Sequence, residues 1–396
     1  MKTIDLLIVG SGPAGVSTAL HLLQQDPGWA ERLIVIEKAR HPRPKLCGGG
    51  VTRLGLKVLS GLGLSQTLPL PMAWVEDVRF VYRGRTIHVR GQPQVQIFYR
   101  AELDAYLANQ ACRRGVTIRQ EETVASLAFD NNGVTVRTDR ETFRAQVVVG
   151  ADGSKGTSRR HVQGTGAHTR VARLLEVLAP AASEAPPFNG QSAEFDFTPA
   201  ERDLQGYFWD FPAFVGGKPH ANRGVYDARL MAGRRRADLP GILGTSLAAH
   251  GRPSDGQAIA GHPIHWFSPG GSFSRPRLLL VGDAAGADPL FGEGIAPALA
   301  YGKLAAQAAQ DAFARGDFSF RDYRRRILTS ELGQYLLIRW LIAWASYRLS
   351  DKRWFMETMW TLGKIATAVF APPPPIRQAA PADPGEAFTS PEGCQE

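Results

Sequence analysis

Cysteine is scarce in this chain, with Cys47, Cys112 and Cys394 the three present in 396 residues. They lie far apart, are odd in number and form no C-x2-C pair, so neither a disulfide framework nor a thiolate metal site is expected. A reducing cytoplasm fits that usage. Long apolar runs are missing too. No stretch of about 18 uncharged apolar residues occurs, which excludes a membrane-spanning helix. The first residues pass from Ile4–Val9 straight into glycines, a pattern unlike a signal peptide. No internal repeat of solenoid period is found. His161, His168, His220, His262 and His265 fall in no ligand spacing, so they read as surface or loop residues and no metal is expected. Nucleic acid is not expected as a partner, because no recognised nucleic-acid motif accompanies the positive charge.

What is present is a basic, core-forming chain. Lys and Arg number 46 against 37 Asp and Glu, a net charge of +9 that favours anionic partners such as phospholipid surfaces, diphosphates or acidic redox proteins. Hydrophobic residues make up 44%, enough to bury a core in each of two domains.

The pattern predicts a strand over residues 4–9, a Gly-rich turn, a helix over Ala14–Gln25 and a second strand over Leu33–Ile36, together a βαβ unit. Residues 42–50 read as a loop and 54–62 as a helix. Val75 to Phe98 alternates, with Val78, Phe80 and Tyr82 on one side and turns at Gly84 and Gly91, as in antiparallel strands. A helix is expected over 101–114 and strands at Val134–Val136 and Val147–Val149. Residues 170–270 hold short β-like stretches broken by Pro and Gly, and Leu278–Val281 returns to the first domain. Leu332 to Trp360 has helical spacing and Pro372–Pro375 closes it. The residues after Ala371 read as a mobile tail.

The expected fold is therefore α/β: a discontinuous Rossmann-type cofactor domain (1–72, 100–165 and 275–325), an antiparallel-sheet substrate domain (73–99 and 166–274) and a C-terminal helical segment (326–371), with 372–396 as the tail.

Gly10-Ser11-Gly12-Pro13-Ala14-Gly15 follows the first strand and opens a helix. Gly10 makes the tight turn, Gly12 lets backbone approach a pyrophosphate and Gly15 allows helix–strand contact, while the helix N-terminus favours the phosphate charge. Glu37 lies 22 residues after Gly15, where a carboxylate accepts both ribose hydroxyls and repels a 2′-phosphate. That is a dinucleotide site. FAD is indicated by Leu278–Gly286, an apolar strand that delivers Asp283 to a turn of small residues, followed near Gly294 and Ile295 by a helix whose N-terminus suits the electron-rich edge of a flavin.

Three further segments carry a resemblance: Lys45-Leu46-Cys47-Gly48-Gly49-Gly50, Tyr207-Phe208-Trp209-Asp210-Phe211-Pro212, and Val281–Ile295 with Pro289 and Gly292-Glu293-Gly294. On these the chain resembles the geranylgeranyl reductase family, within the flavoprotein group that includes p-hydroxybenzoate hydroxylase, over roughly residues 4–310. The resemblance implies a reductase that saturates C=C bonds of a prenyl chain on a lipid, diphosphate, quinone or chlorophyll precursor. It implies FAD without a dedicated nicotinamide domain, with NADPH or a reduced ferredoxin as electron donor. By motif the family's FAD contacts fall on Ala14, Glu37, Cys47, Gly48, Gly50, Arg100, Val124, Asp283, Gly294 and Ile295. Arg100, a fixed cation, would suit the pyrophosphate.

Gly150-Ala151-Asp152-Gly153-Ser154 matches the Asp-Gly motif of the wider group, with Gly156 where Ser is more usual. Tyr207, Trp209 and Phe211 are the expected substrate-binding wall of a prenyl tunnel, or else ordinary core aromatics. Ala213 replaces a basic residue common in the family, and Gly216-Gly217-Lys218-Pro219 reads as a lengthened turn.

An unactivated alkene accepts hydride poorly, so a reduced flavin must be held against it in an apolar tunnel while an acid supplies a proton. Cys47 is the catalytic candidate, assisting that transfer or gating the ring; otherwise it is a small buried thiol. A flavin monooxygenase or halogenase is the alternative, disfavoured by the Cys-Gly-Gly-Gly loop and by Val9 where a halogenase has its first glycine. A third reading is a flavin-binding redox partner without a small substrate. Arg234-Arg235-Arg236 is a solvated loop or a diphosphate or membrane contact. Finally, Leu336, Leu337, Trp340, Leu341 and Trp344, with Arg339, Arg348, Lys352 and Arg353, predict a helix that either lies peripherally on an anionic membrane surface or packs against the cofactor domain.

Overall fold

The computed structural model describes residues 1–64, 68–163, 171–251 and 258–369. His168, the run Pro372–Pro375 and the predicted tail lie outside them.

Strand Lys2–Val9 sits in the middle of the first sheet, parallel to Leu33–Ile36 on one side and to Thr142–Gly150 on the other, with Val9 level with Ile36 and Gly150. Leu6 to Val9 are buried, as a strand covered on both faces requires. The sheet continues outward through Leu278–Leu280 and Ser274–Arg275 on one edge and Thr117–Arg119 on the other, and the hairpin Val124–Asp130/Gly133–Thr138 pairs onto Thr142–Gly150. Helix Pro13–Gln25 packs along helix Ile295–Arg315. Gly302 makes that approach close, since a Cβ there would lie 2.6 Å from the Ser17 Cβ, and Ser17 Oγ donates to the Leu299 carbonyl at 2.7 Å.

The second sheet has eight strands in the order Ala260–His265, Val171–Pro180, Lys218–Asp227, Gly206–Val215, Ser192–Asp196, Met72–Tyr82, Arg85–Phe98 and Gly50–Thr52. Alternation along Gly206–Val215 puts Tyr207, Trp209 and Phe211 on one face. On the other, Phe208 packs on Leu239, Ile242, Leu243 and Leu247 of helix Leu239–Ala249. That helix stands where broken β-like stretches are expected. Pro240 and Gly241 read as breakers, yet Pro is tolerated in a first turn, and Asp238 accepts from Gly241 N at 3.2 Å as its N-cap.

Two turn expectations are corrected. Gly91 lies inside strand Arg85–Phe98, where Asp77 pairs with Arg90 but Val75 with Val95, so residues 91–94 bulge opposite Glu76. Gly216 and Gly217 form a tight two-residue hairpin, both at positive φ (55° and 75°), closing the Val215–Lys218 pair.

The C-terminal segment is two helices, Glu331–Leu349 and Arg353–Val369. The predicted apolar stripe is divided between interior and surface. Leu336 is fully buried and Trp340 packs on the second sheet, whereas Ile338, Leu341, Ile342 and Trp344 are exposed, as are Trp354, Met359, Leu362 and Ile365 of the next helix. Arg339 turns inward. Of the basic run, Arg234 is docked on the end of the first of these helices, where it pairs with Asp351 and donates to the Tyr347 carbonyl at 2.9 Å, while Arg235 and Arg236 are exposed. Among the described residues no helix is long and apolar enough to cross a membrane, and no group of three or more His, Cys, Asp or Glu could hold a metal ion.

Candidate functional site

A cavity of about 870 Å³ runs between the two sheets. Gly10, Gly12, Ala14, Glu37, Cys47, Gly48, Gly50, Arg100, Val124, Asp283, Gly294 and Ile295 line it, and so do Tyr207, Trp209 and Phe211. Gly15 does not. It lies beneath the turn, where any Cβ would overlap the Gly10 carbonyl.

At one end the wall is mostly backbone. Gly10 has φ of +103°, and a Cβ there would stand 2.5 Å from the Ala151 oxygen. The buried Glu37 carboxylate stitches the turn: one oxygen accepts from Ser11 N at 2.9 Å and Ser11 Oγ at 3.0 Å, the other from Ala39 N at 3.1 Å. Ser11 Oγ also lies 2.7 Å from His41 Nε2. Opposite, Gly282 and Asp283 follow strand Leu278–Leu280, and Ser154 Oγ donates to Asp283 Oδ2 at 3.4 Å, joining the two Asp motifs. The absence of a side chain at position 156 has a local reason: a Cβ there would overlap the Asp152 carboxyl, which accepts from Ser158 N at 2.9 Å.

The cations are arranged differently from the sequence expectation. Arg100 reaches the cavity with its charge balanced, in a bidentate pair to the buried Asp104 at 2.8 and 2.8 Å, and its guanidinium also lies against the Cys47 sulfur. Burial raises the Asp104 carboxyl, but the Arg100 guanidinium outweighs it and holds the group below the usual range. The cation beside the glycine turn is Arg43, whose Nη2 lies 3.5 Å from where a Gly12 Cβ would sit and 3.5 Å from Asp104 Oδ2. Lys45 lines the cavity as well, with Nζ 2.8 Å from His262 Nε2. Burial lowers both groups, His262 to about 4, so a neutral imidazole accepts a hydrogen bond from the Lys45 ammonium. Neither Arg43 nor Lys45 was singled out by sequence; their signal was the basic loop Pro42–Lys45.

These residues fit FAD. The helices beginning at Pro13 and Ile295 both open on the cavity without a side-chain cap, leaving N–H donors for pyrophosphate and for the flavin edge. The buried Asp152 Oδ1 has no hydrogen-bond partner and Arg43 Nε has only the Glu37 carboxylate, 3.5 Å away, and both residues line the cavity.

The other end is aromatic. Phe195 stands at its centre, with ring centroids 5.0 Å from Tyr207, 5.0 Å from Phe211 and 5.5 Å from Phe291. The Tyr207 hydroxyl donates to the Phe291 carbonyl, Tyr226 to that of Pro289 at 3.1 Å and Tyr347 to that of Leu290 at 2.6 Å, so these rings present apolar faces inward. At the far edge Arg339 pairs with Asp288 at 3.3 Å and lies 4.1 Å from the Tyr335 ring centroid. Burial pushes the Asp288 carboxyl up to about 6 although Arg339 opposes it. The Cys47–Gly48 loop joins the two ends, for a Cβ on Gly48 would stand 3.0 Å from the Phe211 ring.

Menaquinone reductase of Mycolicibacterium smegmatis is 29% identical over 330 residues, covering 76% of this chain and 75% of that protein. Digeranylgeranylglycerophospholipid reductase 3 of Methanosphaera stadtmanae is 25% identical over 370 residues, 86% of this chain and 87% of that one. The crystal structure of a geranylgeranyl bacteriochlorophyll reductase-like protein from Thermoplasma acidophilum superposes with a TM-score of 0.73 at 20% identity and 92% coverage of both chains, a likeness of fold. The model of the family described as the FAD binding domain matches residues 3–229, more than half of the sequence, over the glycine turn, Glu37, Arg100 and the Asp-Gly segment; the chain belongs to that family of flavoproteins.

Proposed function

We propose that this protein is an FAD-dependent reductase that saturates C=C bonds of a prenyl chain carried on a lipid, diphosphate, quinone or chlorophyll precursor. One observation carries the reading: the glycine and cation cradle and a wall of Phe, Tyr and Trp side chains line one and the same cavity. Bound and reduced by NADPH or a reduced ferredoxin, FAD supplies the hydride that an unactivated alkene requires.

The remaining work falls to this chain's side chains. Gly10, Gly12, Ala14 and Arg43 hold the pyrophosphate, Glu37 the adenosine ribose, and Asp283, Gly294 and Ile295 the flavin side. Tyr207, Trp209, Phe211 and Phe195 exclude water and align an isoprenoid chain. Cys47 stands where the two ends meet, and its thiol is the group placed to assist hydrogen transfer to the second carbon.

The test is anaerobic. Dithionite-reduced protein is mixed with prenyl compounds bearing different head groups, and flavin reoxidation with saturation of the chain is the expected result. Oxygen-dependent hydroxylation or halide incorporation would establish the alternative of a monooxygenase or halogenase.

We further propose that the substrate arrives from an anionic bilayer. Ile338, Leu341, Ile342 and Trp344 of the first C-terminal helix and Trp354, Leu362 and Ile365 of the second are exposed, and so are Arg235, Arg348, Lys352 and Arg353. Flotation with anionic vesicles at low salt, lost when Trp344 and Trp354 become Ala while FAD is retained, is the expected behaviour. A wild-type protein that stays at the bottom of the gradient removes the proposal.

A further inference from the structure

Beneath the Cys47 loop lies a buried polar bracket for which the reading above has no use. Its hub is Asn222, 5% exposed, on strand Lys218–Asp227. Its Oδ1 accepts the Trp209 indole N–H at 2.8 Å, and its Nδ2 donates to the Cys47 carbonyl at 3.1 Å and to Glu176 Oε1 at 3.3 Å. The orientation of the amide is not arbitrary, because an indole N–H only donates and a carbonyl only accepts. Trp209 reaches the hub by lying across Gly224, where any side chain would overlap the indole.

Glu176 completes the bracket from strand Val171–Pro180. It is 6% exposed, the Cys47 peptide N–H faces its carboxyl, and its Oε2 is buried without a hydrogen-bond partner. The two peptide groups that flank the Cys47 Cα are thus both gripped, the carbonyl by Asn222 and the N–H by Glu176. The charged and titratable groups around this carboxyl are Lys45 and Cys47 from the loop and Arg100 from helix Arg100–Cys112, with His262 of the neighbouring strand behind Lys45.

We propose that Glu176 is a proton-responsive positioning residue, which through Asn222 and the Cys47 peptide sets how the Cys47–Gly48 loop sits between the cofactor cradle and Trp209. The physics is that of donors and acceptors. Ionised, the carboxylate only accepts, and draws the Asn222 amide and the Cys47 N–H onto the sheet. Protonated, it carries an O–H on the side that faces the Cys47 N–H, so two donors oppose each other and the loop loosens. Burial pushes this carboxyl up to about 7, against the pull of the Cys47 N–H, Asn222, Arg100 and Lys45, which puts the change in the neutral range.

The inference rests on the FAD and prenyl reading, but its first readout does not. The visible absorbance and circular dichroism of the bound, oxidised cofactor are followed from pH 5.5 to 8.5 in the holoprotein, and single-turnover reoxidation by a prenyl compound is followed alongside. The wild type should show one spectral transition near neutral pH, with reoxidation following it. Glu176→Gln should abolish the transition with FAD retained. Should Glu176→Gln fail to hold FAD, Asn222→Ser is the second variant: loss of a donor to the ionised form should move the transition up by about one pH unit. A wild type without a transition, a Glu176→Gln protein that keeps it, or an Asn222→Ser protein in which it does not move overturns the proposal. A Glu176-dependent transition in a protein that no prenyl compound reoxidises would leave the positioning role standing and defeat the substrate reading.

Discussion

The two ends of the cavity are made from different materials. The cofactor end is backbone and paired charge: Gly10, Gly12 and Gly15 leave room, while Glu37, Arg43, Arg100 and Asp104 are held by one another and by peptide N–H groups. The aromatic end is side-chain volume, with the Phe195 ring touching Tyr207, Phe211 and Phe291 at 5.0–5.5 Å. The first should therefore reject added atoms and unpaired charge, and the second should tolerate exchange of one apolar group for another but suffer from removal.

The sharpest break is Gly15→Val. A side chain overlapping the Gly10 carbonyl cannot coexist with the turn, so cofactor and soluble fold should be lost together, read by flavin absorbance and far-ultraviolet circular dichroism. Next comes Asp104→Ala, which strands the Arg100 guanidinium in a buried site and should cost about 3–5 kcal/mol in urea unfolding. Removing both partners as Arg100→Leu with Asp104→Leu should cost less than the sum of the single changes.

A pH measurement sharpens the comparison at the edge of the aromatic end. The folded Asp288 carboxyl is raised to about 6, above its ordinary value of 3.8, so its contribution is fully present below pH 4 and is lost as pH rises through 6. Across that window the wild type should lose about 3 kcal/mol that Asp288→Asn does not, measured as the difference in unfolding free energy between pH 4 and pH 7. The smallest effect is Phe195→Ala, at about 2 kcal/mol because the ring borders the cavity, with FAD retained and Phe195→Leu nearly silent.

The same contrast explains what could be read before the structure. Gly10 to Glu37 is a local arrangement of turn, helix and strand whose geometry follows from nearby residues, and Leu278–Asp283 repeats that logic. Tyr207, Trp209 and Phe211 were reached through the resemblance carried by Tyr207–Pro212, and their spacing of two then puts all three on one face of the strand. Asn222 and Glu176 were not, since Asn222 meets Cys47 across 175 positions and only the pairing of three strands brings Glu176, Asn222 and Trp209 together. Helix Leu239–Ala249 was hidden by Pro240 and Gly241, although Asp238 before them is an ordinary start signal. Arg339 misled for a related reason: periodicity gives the face of a helix, but the acidic partners Asp288 and Glu293 that draw the side chain inward belong to a distant loop.

The order of strands has a further consequence, for synthesis. The eight strands of the second sheet come from three separate pieces of chain, residues 50–52, 72–98 and 171–265, and the first sheet gains Leu278–Leu280 only after all of them. A chain emerging N-terminus first therefore cannot finish one layer and then the other. Residues 2–9 pair with 142–150 across a long delay, and the aromatic wall stays open until Lys218–Asp227 has left the ribosome. Such distant pairings fold slowly and leave strand edges uncovered meanwhile. Fragments ending before about residue 280 should accordingly be made as aggregates, whereas the longer chain should be recovered folded.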